Sequence, residues 1–324
     1  MNHMLIYPTE ENASSVVLAM TGENSLSTKR MATGDQHFVY EVKTAKSEYV
    51  IRMTDLTQKN KFIAAMYWQD KLLPLGIPLA KFIQSDLECK LSPFPSLLMM
   101  RLPGSDICNV YSQLTDLDKR NLANEIVKIQ AMTSRLPDGL CYGITDSYEK
   151  TTEDLSWYDF LVNRLHRFEK IIQENGVFND IKIDELISIA KDLKNDFNTI
   201  YAKPFLWDAS ERNVIVNNGT ISGIVDVDEI CFGDPLLVIG LTYTALEIDG
   251  HDTLYCDYWA KMLKMDNNAK TRLAFYRMFY AIGFMCKHSM ISSNKQQIIF
   301  DTQRLKNMLQ ESLTRVQEYR DAIK

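Results

Sequence analysis

Two β-rich runs, His37 to Val42 (His-Phe-Val-Tyr-Glu-Val) and Glu48 to Met53 (Glu-Tyr-Val-Ile-Arg-Met), flank a polar turn at Thr44 to Ser47. Aromatic and β-branched residues on both sides of a polar break predict an antiparallel hairpin. An amphipathic stretch precedes it. After it, Asp55 or Thr57 is placed to cap a helix whose apolar positions Phe62, Ile63, Met66 and Tyr67 share a face, and Pro74, Gly76 and Pro78 punctuate its end. Ala80 to Gln84 and Ser96 to Met100 read as two further strands. Residues 1–103 thus predict a small mixed sheet carrying one helix.

Beyond Leu102-Pro103-Gly104 the hydrophobic period changes. Leu117 to Leu136, Trp157 to Glu174 and Ile183 to Ile200 carry apolar residues at helical spacing, with Asp, Lys and Glu on the remaining face. One interruption breaks this pattern: Phe205 to Trp207, Val214 to Val216 and Ile221 to Val225 are short apolar runs, the last two joined by the turn sequence Asn217-Asn218-Gly219. Helical spacing resumes at Leu236 and ends with Leu305, Met308, Leu309 and Leu313. The expectation is an α+β, two-lobed chain, with a sheet-bearing unit over 1–103 and a mostly helical unit over 104–324.

Composition narrows the function classes. A chain of 324 residues, 46% hydrophobic, has the length for two units. Charged residues make up 24% and the net charge is -6, which supplies no basic stripe for a nucleic-acid backbone. Cys89, Cys108, Cys141, Cys231, Cys256 and Cys286 lie far apart without a Cys-x-x-Cys pair, so neither a zinc module nor a disulfide framework is expected. Met1 to Glu10 lacks the charged start and apolar middle of a secretory signal. Leu273 to Cys286, the most apolar stretch, is shorter than a membrane span and contains Arg277 and Gly283. A cytoplasmic protein with no nucleic-acid or membrane partner is expected.

The chemistry concentrates at the ends of the embedded strands. Asp208 follows Phe-Leu-Trp, Asn213 comes five residues later, and Asp226 follows Gly-Ile-Val. Phosphoryl transfer needs such a trio: one carboxylate orients the attacking hydroxyl and accepts its proton, while a carboxylate and an amide oxygen hold magnesium against the phosphates. The hairpin turn is expected to bring the three together. For each residue taken singly, a turn or helix cap explains Asp208 and a turn amide explains Asn213.

Trp207-Asp208-Ala-Ser-Glu-Arg-Asn213, Gly223-Ile-Val-Asp226 and Phe232-Gly-Asp234-Pro235 together resemble the aminoglycoside phosphotransferase and choline kinase group of protein-kinase-like enzymes. The resemblance extends over nearly the whole chain, through the hairpin with a cation at Arg52 and the hinge-like Leu97-Leu-Met-Met-Arg-Leu-Pro-Gly104. It implies a protein-kinase-like fold, ATP or GTP as donor, Mg2+ as cofactor, and a small-molecule hydroxyl as acceptor. It further implies Asp208 as catalytic base, Asn213 and Asp226 as metal ligands, Arg52 on the nucleotide phosphates, and the backbone of Met100 to Leu102 at the adenine edge. The loop Thr33-Gly34-Asp-Gln-His37 would lie over the phosphates. An aminoglycoside or another amino-bearing acceptor is the substrate it suggests.

Around this frame several residues keep two readings. Asp228 and Glu229 either enlarge the acidic site toward substrate or are a solvated pair. Glu247, Asp249, Asp252 and Asp257 lie where related kinases recognise substrate, and a solvated helix start explains them equally. His37 is expected to pack or hydrogen-bond locally, His166 and His288 to be ordinary structural or surface residues, and Asp234 to brace a turn. Two departures separate the chain from the group. Leu206-Trp207 stands where His-Gly is usual, and no glutamate occurs between Glu48 and Glu88 to pair with the cation, Asp55 and Asp70 falling outside the expected position. An Arg at position 52 offers a fork of donors that can bind phosphate without that helper. The departures open a second reading, a pseudokinase or nucleotide-binding regulatory protein of the same fold. An aspartyl-phosphate phosphatase built on Asp226-Val-Asp228 is disfavoured by the late position of the motif and by the Glu229-Ile230 that follows it.

Overall fold

The computed structural model describes residues 7–31, 37–291 and 297–322. The first helix, α1 (Glu10–Thr21), starts at a capping box in which Thr9 and Asn12 satisfy each other's backbone donors. Strands β1 (Ser25–Arg30), β2 (Phe38–Thr44) and β3 (Glu48–Met53) follow, then α2 (Lys59–Leu72), β4 (Phe82–Asp86) and β5 (Ser96–Met100). The five strands form one antiparallel sheet in the order β1-β2-β3-β5-β4.

The period of two along β3 decides where its side chains go. Tyr49, Ile51 and Met53 join Tyr40, Val42 and Leu98 in a core under Ala13, Val16 and Val17 of α1. Val50 faces the other way, toward a second core made by Phe62 and Ala65 of α2 with Leu97 and Met99. Arg52 lies on that same α2 face and reaches the ring of Phe62, with its guanidinium carbon 5.3 Å from the ring centroid.

The predicted hairpin is present with Phe38 opposite Met53 and Lys43 opposite Glu48. The edge strand β1, Ser-Leu-Ser-Thr-Lys-Arg, has no apolar alternation, because its exposed edge does not require any, and so it escaped the reading of the sequence. The strand expected at Ala80 to Gln84 is displaced to Phe82–Asp86.

The chain then crosses into a helical region through β6 (Ser105–Asp106) and α3 (Ile107–Val110). It continues with α4 (Asp116–Thr133), β7 (Gly143–Thr145), α5 (Trp157–Asn175), α6 (Ile183–Asp192), α7 (Lys194–Phe197) and β8 (Pro204–Phe205). After these come β9 (Val214–Asn217), β10 (Thr220–Ile224), β11 (Ile230–Phe232), α8 (Leu236–Ile248), α9 (Leu254–Met262), α10 (Asn267–Lys287) and α11 (Thr302–Asp321). The single helix expected over Ile183 to Ile200 is two, broken where Leu193 leaves helical geometry at ψ 2°. Trp157, Trp259, Phe275 and Tyr276 anchor the main core, into which nearly all of α8 and most of α10 are sunk. None of the described helices is long and apolar enough to cross a membrane. The architecture is the two-lobed, protein-kinase-like α+β fold expected from the sequence.

Two small sheets position the loops that matter. β9 and β10 form the predicted hairpin, turned by Asn218 and Gly219 at φ 50° and 75°, the pair of positive angles a tight hairpin turn requires. β8 does not join it; it pairs with β11, which also pairs with β7. The hairpin is tied to the crossing segment and to the sheet-bearing region. Ser105 and Asp106 pair with Val216 and Ile215. On the other side the Ile224 N–H donates to Pro78 O at 2.8 Å. The approach is close enough that a Cβ on Gly104 would lie 1.9 Å from Val216 O.

Candidate active site

Asp208 leaves β8 two residues after Leu206, and its loop is a tight turn in which Asn213 and Val214 donate backbone N–H groups to Ser210 O at 3.1 and 3.2 Å. Where a His-Gly pair is usual, the buried amide of Gln130 grips the backbone instead. Its Nε2 donates to Leu206 O at 2.9 Å and its Oε1 accepts from Leu206 N–H at 3.0 Å. Trp207 is half-buried against the main core. A lone glutamine inside a helical pattern carries no sequence signal of this partnership, so Gln130 could not have been found from the chain alone.

Asn213 and Asp226 join Asp208 through the backbone. Asn213 Nδ2 donates to Asp208 O at 2.9 Å, and Asn213 O accepts from Val225 N–H at 2.9 Å. Asp208 and Asp226 line one small cavity together with Leu206, Val225, Val227 and Glu229. Asp226 is held at φ 59°, a left-handed conformation that a non-glycine residue adopts at a cost. That angle swings the chain out of β10, so that Asp226 and Asp228 both reach Arg52. Asp226 Oδ1 accepts from Nη2 at 2.9 Å, while Asp228 accepts from Nη1 at 2.8 Å and from Nη2 at 2.7 Å.

The two carboxylates differ in exposure. The side chain of Asp226 is 44% exposed and that of Asp228 only 10%. Burial by itself would raise the Asp228 carboxyl, but the charge of Arg52 and hydrogen bonds from His37 and Arg52 outweigh it and hold it well below the usual carboxylate range. The solvated-pair reading therefore fails for Asp228. Its neighbour Glu229 is half-buried and takes Lys61 of α2 at 2.5 Å. Burial, with the charge of Asp226 added, outweighs the charge of Lys287 and pushes Asp208 up to about 8.

His37 is buried, with Nε2 3.5 Å from Asp228 Oδ2 and its ring 5.2 Å from that of Phe62. Gly34 lies outside the described residues. Met100 and Leu102 flank the crossing between the two regions, where the Met100 N–H donates to Lys81 O and the Arg101 N–H to Glu48 O, at 3.1 and 3.0 Å. Glu247 is away from this group, on α8, where it accepts from Arg277 at 2.5 Å. The rest of the acidic run is paired too. Asp249 takes Arg212 at 2.6 Å, Asp252 takes Lys119 at 2.7 Å, and Asp257 accepts from Tyr243 Oη at 2.7 Å. Asp234 accepts from Leu236 N–H at 3.0 Å and from Arg272 Nε and Tyr276 Oη at 2.8 Å each, so it braces the segment after β11.

The donor set suits a hard divalent ion: a partly exposed carboxylate on Asp226 and an amide on Asn213 whose nitrogen is engaged, leaving its oxygen as donor. Among the described residues no group of three or more His, Cys, Asp or Glu side chains is arranged to hold a metal by itself. An ion here would complete its shell with phosphate oxygens and water.

Comparison with known proteins agrees with the fold. The thermostable mutant of aminoglycoside phosphotransferase APH(4)-Ia, in its apo form, superposes with a TM-score of 0.63 at 12% identity, covering 96% of this chain and 98% of that one. A candidate fructosamine-3-kinase from Haemophilus somnus 129PT gives 0.64 at 16% identity, with 94% and 97% covered. The GDP complex of a mutant aminoglycoside 2'-phosphotransferase-IIIa gives 0.63 at 13%, with 97% and 98% covered. No curated protein matches the sequence. The model of the phosphotransferase enzyme family matches residues 30–276, which takes in Arg52, the Asp208–Asn213 loop, Asp226 and Asp234. The chain belongs to the phosphotransferase enzyme family.

Proposed function

We propose that the chain is a magnesium-dependent kinase that moves the γ-phosphate of ATP or GTP to a hydroxyl of a small molecule, with the nucleotide between a lobe of residues 1–103 and a lobe of residues 104–324. The observation that carries this reading is the shared cavity of Asp208 and Asp226, with the Asp226 carboxylate also accepting from the guanidinium of Arg52. Asp208, tuned toward neutrality by burial and by the charge of Asp226, is suited to take the acceptor's proton. Asn213 and Asp226 would hold Mg2+, which when bound neutralises charge on the phosphates. Arg52 would give its Asp226 bond to a phosphate oxygen while keeping Asp228. The resemblance puts Gly34 and His37 on the stretch over the phosphates. Met100 and Leu102 would frame the adenine, and because the N–H groups of Met100 and Arg101 are already bonded, the donor falls to Leu102.

Solved relatives support the ligand classes. The thermostable APH(4)-Ia mutants were crystallised as ternary complexes of hygromycin B with ADP and with AMP-PNP. An aminoglycoside or other amino-bearing acceptor is what the resemblance suggests. The acidic run of this chain adds little to it, since Glu247, Asp249, Asp252 and Asp257 each have a partner within the protein.

The test is nucleotide turnover with magnesium, in wild type and in Asp208→Ala. Turnover in the first and not in the second supports the kinase. The loss of His-Gly and the double engagement of Arg52 favour one other reading, a nucleotide-binding protein without turnover. If both proteins are stabilised by ATP and neither turns it over, that reading replaces the first.

A further inference from the structure

We propose that Asp228 is a positioning residue: it anchors Arg52 from the strand-end loop of the helical region, in place of a carboxylate on α2. The inference rests on the kinase reading above, because its consequence is for phosphate binding.

Arg52 is 6% exposed, and a cation so buried must be compensated. The helix that packs beside it brings no acid to the guanidinium. Asp55, ahead of the helix, accepts from Thr57 N–H at the start of the helical turn, and Asp70 is exposed at the far end of α2. Toward the guanidinium the helix presents the ring of Phe62. The compensation comes from 176 positions away, through two bonds to the two oxygens of Asp228, the fork-to-fork geometry that fixes a guanidinium in both position and plane.

The polarity of the contact is inverted as well. The helix supplies a cation, Lys61, to Glu229 of the same loop at 2.5 Å. Carboxylates therefore come from residues 226–229, and both cations from the sheet-bearing region. The placement of Arg52 does not depend on a carboxylate from α2.

Asp226 and Asp228 divide the labour by exposure. Asp226 makes one bond to Arg52 from the open side of the cavity, and a phosphate or metal can replace that bond. Asp228, buried and bonded through both oxygens with His37 behind it, stays. With Asp228 in place Arg52 presents the same edge to every nucleotide.

The experiment measures the affinity of ADP and of adenosine, by calorimetry, for wild type, Asp228→Asn, Arg52→Gln and the double variant. Asp228→Asn is expected to weaken ADP by about tenfold, the usual effect of removing a partner that orients a ligand-binding group, and to leave adenosine unchanged. In the Arg52→Gln background the same substitution is expected to change neither. Should Asp228→Asn fail to fold, Asp228→Glu replaces it; it keeps the charge, displaces the guanidinium by one methylene, and is expected to weaken ADP alone. ADP affinity unaltered by the substitution, equal losses for ADP and adenosine, or an undiminished effect without Arg52 would each overturn the anchor while leaving the kinase reading standing. A wild type that binds no ADP would overturn both.

Discussion

The two carboxylate oxygens of Asp228 hold the guanidinium of Arg52 at 2.8 and 2.7 Å, across 176 positions of chain. This one contact joins the sheet of the first region to the loop that carries Asp226. It accounts for a family member that keeps a buried cation on β3 without a glutamate on the helix beside it.

Asp226→Asn is expected to abolish turnover, lowering kcat by about a hundredfold or more, because an amide is a poorer ligand for a hard cation and a poorer counter-charge than a carboxylate. The fold is expected to survive, since Asp228 still compensates Arg52. Circular dichroism beside a magnesium-ATP assay separates the two effects. Unchanged turnover in this variant would remove Asp226 from the site.

The pH profile follows from Asp208. Its folded value near 8 lies above its ordinary carboxylate value, so the carboxyl is largely protonated in the free protein at neutral pH. As base it must be ionised. Mg2+ held by Asp226 would cancel the charge that helps raise Asp208, so kcat/KM for acceptor is expected to rise with pH to a midpoint below 8, and a profile flat or falling from pH 5 to 8 would argue against Asp208 as the base.

Glu211, within the loop from Asp208 to Asn213, offers a test read in stability. It is 1% exposed, its Oε2 has no hydrogen-bond partner, and burial pushes its carboxyl up to about 7. A raised carboxyl favours the folded state below its ordinary value near 4.5, and that contribution is lost as pH climbs through 7. Glu211→Gln cannot ionise, so its stability relative to wild type is expected to improve by about 1–2 kcal/mol between pH 5 and pH 8. Urea unfolding at the two pH values measures it.

Two glycines separate steric clash from backbone strain. Gly104 stands at φ 99° with Val216 O where a Cβ would go, whereas Gly250, at φ 82°, has nothing closer than Arg304 at 3.6 Å. Gly250→Ala is expected to cost about 1 kcal/mol, the left-handed penalty alone. Gly104→Ala is expected to cost about 2–4 kcal/mol, because the hairpin that carries Asn213 must move off the crossing segment. Equal losses in chemical unfolding would mean that the approach of Gly104 to β9 is looser than its geometry.

What the chain's own order of residues determined is local. The hairpin at residues 38–53, the Asn217-Asn218-Gly219 turn, the buried α10 and the trio Asp208, Asn213 and Asp226 all have their signal within a few dozen positions. Period, turn chemistry and spacing act over that range. The tertiary structure decided whatever depends on which faces meet. β1 was invisible because an edge strand need not alternate, and the break at Leu193 because one irregular residue leaves the apolar spacing on either side intact. The grip of Gln130 on Leu206 and the anchoring of Arg52 by Asp228 join groups far apart in sequence. Neither residue type announces its partner, and only the packing of α4 against β8, and of the sheet-bearing region against the loop after β10, removes the water that would otherwise have satisfied them.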